Sequence, residues 1–176
     1  SAPSQRAVHS MAGNRDFLVG DALAARCAFT RTDDPTVLVF GGRRWLLSHG
    51  DLLCVDDTAY QQYRAQVHAP AWKSHFLAKP LAQREAMARQ MREASRSHQR
   101  SLPTYADVDA PSACQWLREA AADTLIHGHT HHPAEHDLAP GLRRIVLSDW
   151  DLQAQPPRAQ VLRLSPDGTA RRIDLA

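Results

Sequence analysis

The chain has little that would cross-link it or anchor it in a membrane. Its 176 residues include only three cysteines, Cys27, Cys54 and Cys114, widely separated and in no CxxC pair. That pattern excludes a disulfide framework and a thiolate zinc knot, and implies a reducing compartment. No apolar run approaches the roughly 20 residues needed to cross a bilayer. The opening "SAPSQRAVHS" has no apolar stretch of the kind a signal peptide carries, so none is expected. Lysine is nearly missing: Lys73 and Lys79 are the only two, and the other cations are arginines. Arginine's planar fork suits phosphate better than a lysine point charge does, although a GC-rich genome produces the same bias. A net charge of +2 and the lack of an aromatic stacking pattern give no reason to expect a nucleic-acid partner.

The length suits one domain with a proper core and is too short for two ordinary ones. A mean hydropathy of −0.44 places the chain among globular proteins. Along it, "VHSMA" (8–12) reads as a short buried strand, and "DFLVGDALAARC" (16–27) as a helix with Asp16 as N-cap. "TVLVF" and "RWLLSH" flank Gly41-Gly42, a two-residue hairpin signal. The segment from Asp56 to Val67 has helical character, and residues 80–100 form the clearest helix, with Pro80 near its start. Met87, Met91 and Ala94 line one of its faces, with Arg84, Arg92, Arg96 and Arg100 in an i, i+4 row on another. "PSACQWLREAAA" (111–122) is a further helix, and "DTLIHG" a buried strand. The remainder is β-rich: "RRIVLSD", "AQVLRLS" and "ARRIDL". Strands alternating with helices, then a run of strands, predict a mixed α/β layered domain over 1–176 with a helical excursion at about 68–110.

What the chain has in excess is histidine: five of its ten fall between His127 and His136, in and after "IHGHTHHP". Three loops each follow a short apolar strand: "GNRD" (13–16), "HGD" (49–51) and "HGHTH" (127–131). In α/β sheets ligands collect beyond the carboxyl ends of strands. Imidazole and oxygen donors without thiolates suit manganese, iron or zinc rather than calcium. "HExxH" is absent and a glycine follows the first histidine, so an extended loop is expected here rather than a peptidase helix. Read on its own, any one of these histidines is as easily structural. His131, His132 and His136 read as solvent-facing or as supports, and Asp51 as a residue that orients His49 or the turn.

"GNRDFL", "LLCVDDTAYQQYR" and "LIHGHTHHP" together resemble the calcineurin-like metallophosphoesterases. More narrowly, they resemble the UDP-2,3-diacylglucosamine pyrophosphohydrolases of bacterial lipid A synthesis, because "GNRD" stands where most of the superfamily reads "GNHD". The resemblance covers about residues 8–165. It implies a layered β-sandwich flanked by helices, with a helical cap insertion, and a manganese-dependent hydrolysis that gives UMP and 2,3-diacylglucosamine 1-phosphate. By motif it assigns Asn14, His49, His127 and His129 to metal, and Asn14, Arg15 and His127 to catalysis. Substrate contacts fall on Asn14, Arg15, Asp57, Tyr60, Ser95, Gln99, Arg100 and His127. It also implies UDP-2,3-diacylglucosamine as partner and a peripheral place on the anionic cytoplasmic face of the inner membrane.

Two departures qualify those expectations. The family's Asp-x-His and Gly-Asp motifs should precede "GNRD", and the chain carries neither. It is therefore expected to be an N-terminally incomplete copy that lacks the first strands, holds one metal or none where the complete site holds two, and exposes an apolar sheet edge beside "VHSMA". Asp21, Asp33 and Asp34 lie after "GNRD" and are not expected to substitute for the missing ligands. His132 also stands where the family reads arginine. A generic metallophosphoesterase and a non-catalytic metal-binding module stay open as alternatives.

Overall fold

The computed structural model describes residues 6–101 and 107–176, without the side chains at 96 and 98–101. It divides into two compact units: Ser1–Cys54 with Val108–Ala176, and Val55–Asp107.

The first unit is built on a five-stranded sheet in the order β3-β4-β5-β7-β6. These strands are β3 (Thr36–Phe40), β4 (Arg43–Ser48), β5 (Thr124–His127), β6 (Glu135–Ala139) and β7 (Leu142–Val146). The central three, β4, β5 and β7, run parallel, and β3 and β6 close the sheet as antiparallel edges. Parallel strands covered on both faces should be apolar throughout, and "TLIH" is buried at all four positions. On one face Trp45, Ile126 and Ile145 form a core against Leu162, Leu164 and Ala170. Those last three belong to a separate hairpin of β8 (Gln160–Leu164) and β9 (Ala170–Asp174). Helix α5 (Ala110–Glu119) lies against β5 and β6. It starts where Asp109 accepts from Ser112 N–H at 2.8 Å, with proline in its first turn.

A two-stranded parallel sheet pairs β1 (His9–Met11) with β2 (Thr30–Thr32). Here the sequence reading needs correction. "VHSMA" is not a buried strand: Val8 and His9 are exposed and Ser10 and Met11 only half-buried. Its one described neighbour is the equally short β2, so no described strand occupies its other edge. Helix α1 runs only over Asp21–Arg26 and starts from Gly20, not from Asp16. Asp16 instead accepts from Gly13 N–H and caps the "GNRD" turn. Cys54 and Cys114 are buried, but Cys27, where α1 ends, is exposed. Strands β2 and β6 were not anticipated; three and five residues long, they carry no apolar alternation.

The second unit is helical: α2 (Thr58–His68), α3 (Pro70–Leu77) and α4 (Leu81–Ser101). Asp57 caps α2 by accepting from Tyr60 N–H at 3.0 Å. In α3 Trp72 stacks on Phe76, ring centroids 5.0 Å apart. Met87 and Met91 of α4 are half-buried rather than fully interior, and Arg84 is half-buried too. No described helix is long and apolar enough to cross a membrane.

The β3–β4 turn is the tightest local device in the fold. Gly41 and Gly42 both have positive φ, +60° and +69°, as the right-handed strand twist demands of a two-residue turn. A Cβ on Gly41 would meet Pro166 and Ser165 carbonyl oxygens at 2.9 Å, whereas one on Gly42 meets nothing. Arg43 ties the same two turns together by donating to Gly168 O at 3.0 Å. Gly42→Ala is therefore expected to cost about 1 kcal/mol for the left-handed backbone alone. Gly41→Ala should cost clearly more, because backbone must move. Urea midpoints of the two variants check the ranking, and equal losses would contradict it.

Candidate metal and phosphate site

The carboxyl ends of β4 and β5 lie side by side because Ser48 pairs with His127 in register. The chain leaves β4 into "HGD" and β5 into "HGHTH", and Gly128 N–H donates to His49 O at 3.1 Å, binding the two loops together. The "GNRD" turn after β1 meets them: Asn14 N–H donates to His49 Nε2 at 3.2 Å. Glycine is required twice for this approach. A Cβ on Gly13 would lie 2.8 Å from His49 Cε1, and one on Gly50 2.9 Å from His127 Nδ1.

The side chains so assembled are His49, His127 and His129, with Asp51 beside them. His49 and His129 pack edge to face, ring centroids 5.1 Å apart. His127 is fully buried, with Nδ1 2.9 Å from Gly128 O. His129 and His131 are held at positive φ, +64° and +54°, a conformation few non-glycine residues keep without a compensating reason. Asp51 is 1% exposed and opens a 3-10 turn, Asp51–Leu53.

Charge decides the chemistry of this cluster. Burial, and then the neighbouring His49, push the His129 pKa down to about 4, against a partial pull upward from Asp51. At neutral pH its imidazole is uncharged and keeps a lone pair to offer. Imidazoles from two adjacent loops suit a borderline transition-metal cation. In kind, then, the donors fit such an ion. In number they fall short: among the described residues no three His, Cys, Asp or Glu side chains are arranged to hold one.

The other residues singled out from the sequence are placed as follows. Arg15 is exposed on the "GNRD" turn and Asn14 half-buried. Asp57 and Tyr60 sit at the start of α2, and their i, i+3 spacing is that of a cap and the N–H it accepts from. Ser95 is exposed on α4, while the Gln99 and Arg100 side chains lie outside the described residues. His131 and His132 are exposed and His136 half-buried on β6.

Asp34 was set aside as a ligand, and the structure gives it a different part to play. Its Oδ1 accepts from Ser48 Oγ at 2.6 Å, and Ser48 Oγ accepts from Gly50 N–H at 3.0 Å. A carboxylate thus sits under the "HGD" turn, its pKa raised by burial against the opposing hydroxyl bond. Only the fold, which brings the start of β3 beside the end of β4, could have revealed this. A cavity of about 370 Å³ opens at the other end of the sheet, lined by Arg43, Asp123 and Arg143. Its arginines are already paired, Arg43 with Asp123 and Arg143 with Glu135, so it does not compete as the site.

No protein-family model matches the chain. Individual relatives do. UDP-2,3-diacylglucosamine hydrolases from Xanthomonas oryzae pv. oryzae and Xanthomonas campestris pv. campestris are each 45% identical over 174 residues. Those alignments take in 93% of this chain and 68% of each relative. The enzyme of the same name from Stenotrophomonas maltophilia is 42% identical over 175 residues, 93% of this chain and 71% of the relative.

The depressed His129 pKa carries a stability consequence. Between pH 6.5 and about 4 the unfolded chain takes a proton that folded His129 refuses. Stability is therefore intact above that window and lost as pH falls through it, by on the order of 2 kcal/mol from this residue. In metal-free chain the thermal midpoint should fall less steeply between pH 6.5 and 4 for His129→Gln than for the unaltered protein. Parallel curves would show that His129 is not held neutral by the fold.

Proposed function

The chain belongs to the UDP-2,3-diacylglucosamine hydrolase family, and from that membership we propose that it hydrolyses the pyrophosphate of UDP-2,3-diacylglucosamine. Water adds to the α-phosphorus and the bond to the bridging oxygen breaks. UMP and 2,3-diacylglucosamine 1-phosphate leave, as in the lipid A pathway. The observation that carries the reading is the joining of "GNRD", "HGD" and "HGHTH" at one sheet end, through the Asn14–His49 and Gly128–His49 bonds.

Within this reading each residue does one thing. His49 and His129 present ring nitrogen to a cation, His129 uncharged at neutral pH, with His127 and Asn14 beside them. Manganese is the proposed ion, one or none per chain given the partial donor set. Bound manganese would supply Lewis acidity at phosphate oxygen and a more acidic water. The exposed Arg15 guanidinium is suited to the charge that gathers on the departing phosphate. The buried Asp51 and the Asp34–Ser48–Gly50 chain of hydrogen bonds hold the "HGD" turn so that His49 is aimed before substrate arrives. Asp57, Tyr60, Ser95, Gln99 and Arg100 are the proposed contacts for glucosamine and its phosphate. A peripheral position on an anionic inner-membrane surface would bring the lipid substrate within reach.

A second reading has one observation in its favour. No three described ligand side chains close on an ion, which favours a metal-binding module without turnover. The two readings part in one experiment on the purified chain, measuring bound manganese and UMP release from UDP-2,3-diacylglucosamine. The proposed reaction predicts UMP release that chelation abolishes. It also predicts a fall in kcat/KM of about 10²-fold or more in Arg15→Ala, with Arg15→Lys in between. Manganese bound without UMP release supports the module instead. Soluble phosphodiesters cleaved as fast as the lipid nucleotide support a generic phosphoesterase.

A further inference from the structure

Of the groups assigned to the proposed substrate, those on the "GNRD", "HGD" and "HGHTH" loops address phosphate, and those on α2 and α4 address glucosamine phosphate. None reads the nucleobase. The structure nevertheless holds a large apolar ring beside the histidine loop that its own core does not use. Trp150 is 61% exposed, and two residues on Leu152 is 67% exposed. Both follow β7, and Leu147 N–H donates to His127 O at 2.7 Å. Trp150 lies three positions after Leu147, so its Cα lies at most about 11 Å from that contact by chain length.

An exposed tryptophan on a loose loop would mean little. This one is fixed. Its Nε1–H donates to Gln160 O at 2.8 Å, which sets the plane of the ring. The loop that follows is closed by Asp151 N–H to Arg158 O at 2.8 Å and Arg158 N–H to Asp151 O at 2.9 Å. On the other side of Trp150, Asp149 takes Arg158 in a two-pronged pair, Nε to Oδ1 at 3.0 Å and Nη2 to Oδ2 at 2.8 Å. The bonds to Arg158 keep the Asp149 carboxyl below the usual carboxylate range, and His131 across the loop adds to this. The ring is thus tethered by its nitrogen edge on a loop closed to either side of it, with most of its surface left to solvent.

We propose that Trp150 is the platform on which the uracil ring of the substrate stacks, and so the residue that makes this site read a nucleotide rather than any pyrophosphate. The proposal rests on the reading above that a uridine nucleotide is split here. A rigid aromatic face loses little entropy on stacking and accepts any base by its π-surface. The neighbours favour a base over an acyl chain. Asp149 and Asp151 flank Trp150 along the chain and both pair with Arg158, and a hydrocarbon laid over such charges would strip water from them without return. Uracil carries its own carbonyls and N–H to meet them.

The test is equilibrium binding of UMP and of ribose 5-phosphate, which lacks the base, to the whole chain in manganese-containing buffer. Unaltered protein, Trp150→Ala and Trp150→Phe are compared. The indole is mostly solvent-exposed, so both variants should fold, which near-ultraviolet circular dichroism checks. UMP is expected to bind the unaltered chain more tightly than ribose 5-phosphate does. It should weaken about tenfold in Trp150→Ala and recover in part in Trp150→Phe, while ribose 5-phosphate stays unchanged throughout. Equal affinity for the two ligands, no loss of UMP in Trp150→Ala, or a matching loss of ribose 5-phosphate would each overturn the proposal. Failure of the reaction itself reads out separately: base-dependent binding through Trp150 without UMP release from the lipid substrate leaves the stacking role standing and removes the hydrolase reading.

Discussion

The register of β5 against β4 is the constraint on which the site depends. Ser48 stands opposite His127, so the two strands end together and "HGD" and "HGHTH" begin as neighbours. A slip of β5 by one residue would turn His127 and Leu125 to the other face of the sheet. The core makes such a slip costly, because Ile126 would leave the face it shares with Trp45 and Ile145, against which the β8–β9 hairpin packs. The apolar packing that stabilises the sheet is thus also what aims the histidines. Chemistry carried on loops gets its precision from strands buried on both sides.

A second constraint acts at shorter range. Imidazoles crowd within one cluster: burial and the neighbouring His49 hold His129 neutral, and His127 is fully enclosed. The same crowding leaves no room for ordinary side chains at Gly13 and Gly50. These costs, together with the left-handed backbone at His129 and His131, would be removed by selection for stability alone. Their persistence at one sheet end is the physical sign that the cluster has work other than folding.

How much of this was legible in the sequence follows from the range of each interaction. The Gly41-Gly42 hairpin, the long helix α4 and the buried strand "TLIH" were readable because turn chemistry and periodicity are local. The three loops were readable as a set because each combined glycine with polar donors straight after an apolar run. Asp16 was misread as a helix cap because a capping residue and a turn residue look alike from one strand of text: both accept a nearby N–H, and only Gly20 decides where α1 starts. "VHSMA" was misread as buried because hydropathy states what a strand would cover, not whether a neighbour is there to cover it. Asp34 was missed because its partner, Ser48, lies fourteen residues on across a hairpin, where no spacing rule reaches.

Recognition in this chain is local rather than global. The net charge of +2 makes no field strong enough to gather a doubly charged pyrophosphate from a distance. On the proposed reading, affinity comes from groups at contact: the Arg15 fork, the imidazole cluster, and an indole held by its own hydrogen bond. Such groups discriminate by shape and donor geometry, and their value depends on how little they must reorganise when the ligand arrives. That places the demand on the scaffold again. In the proposed role, Trp150 depends on a loop closed by the Asp149–Arg158 pair and the Asp151–Arg158 bridge, as His49 depends on the close approach of Gly13 and Asn14. An ion pair at the surface stabilises a fold little. Here its contribution is better measured by the ring it keeps in place beside the phosphate site.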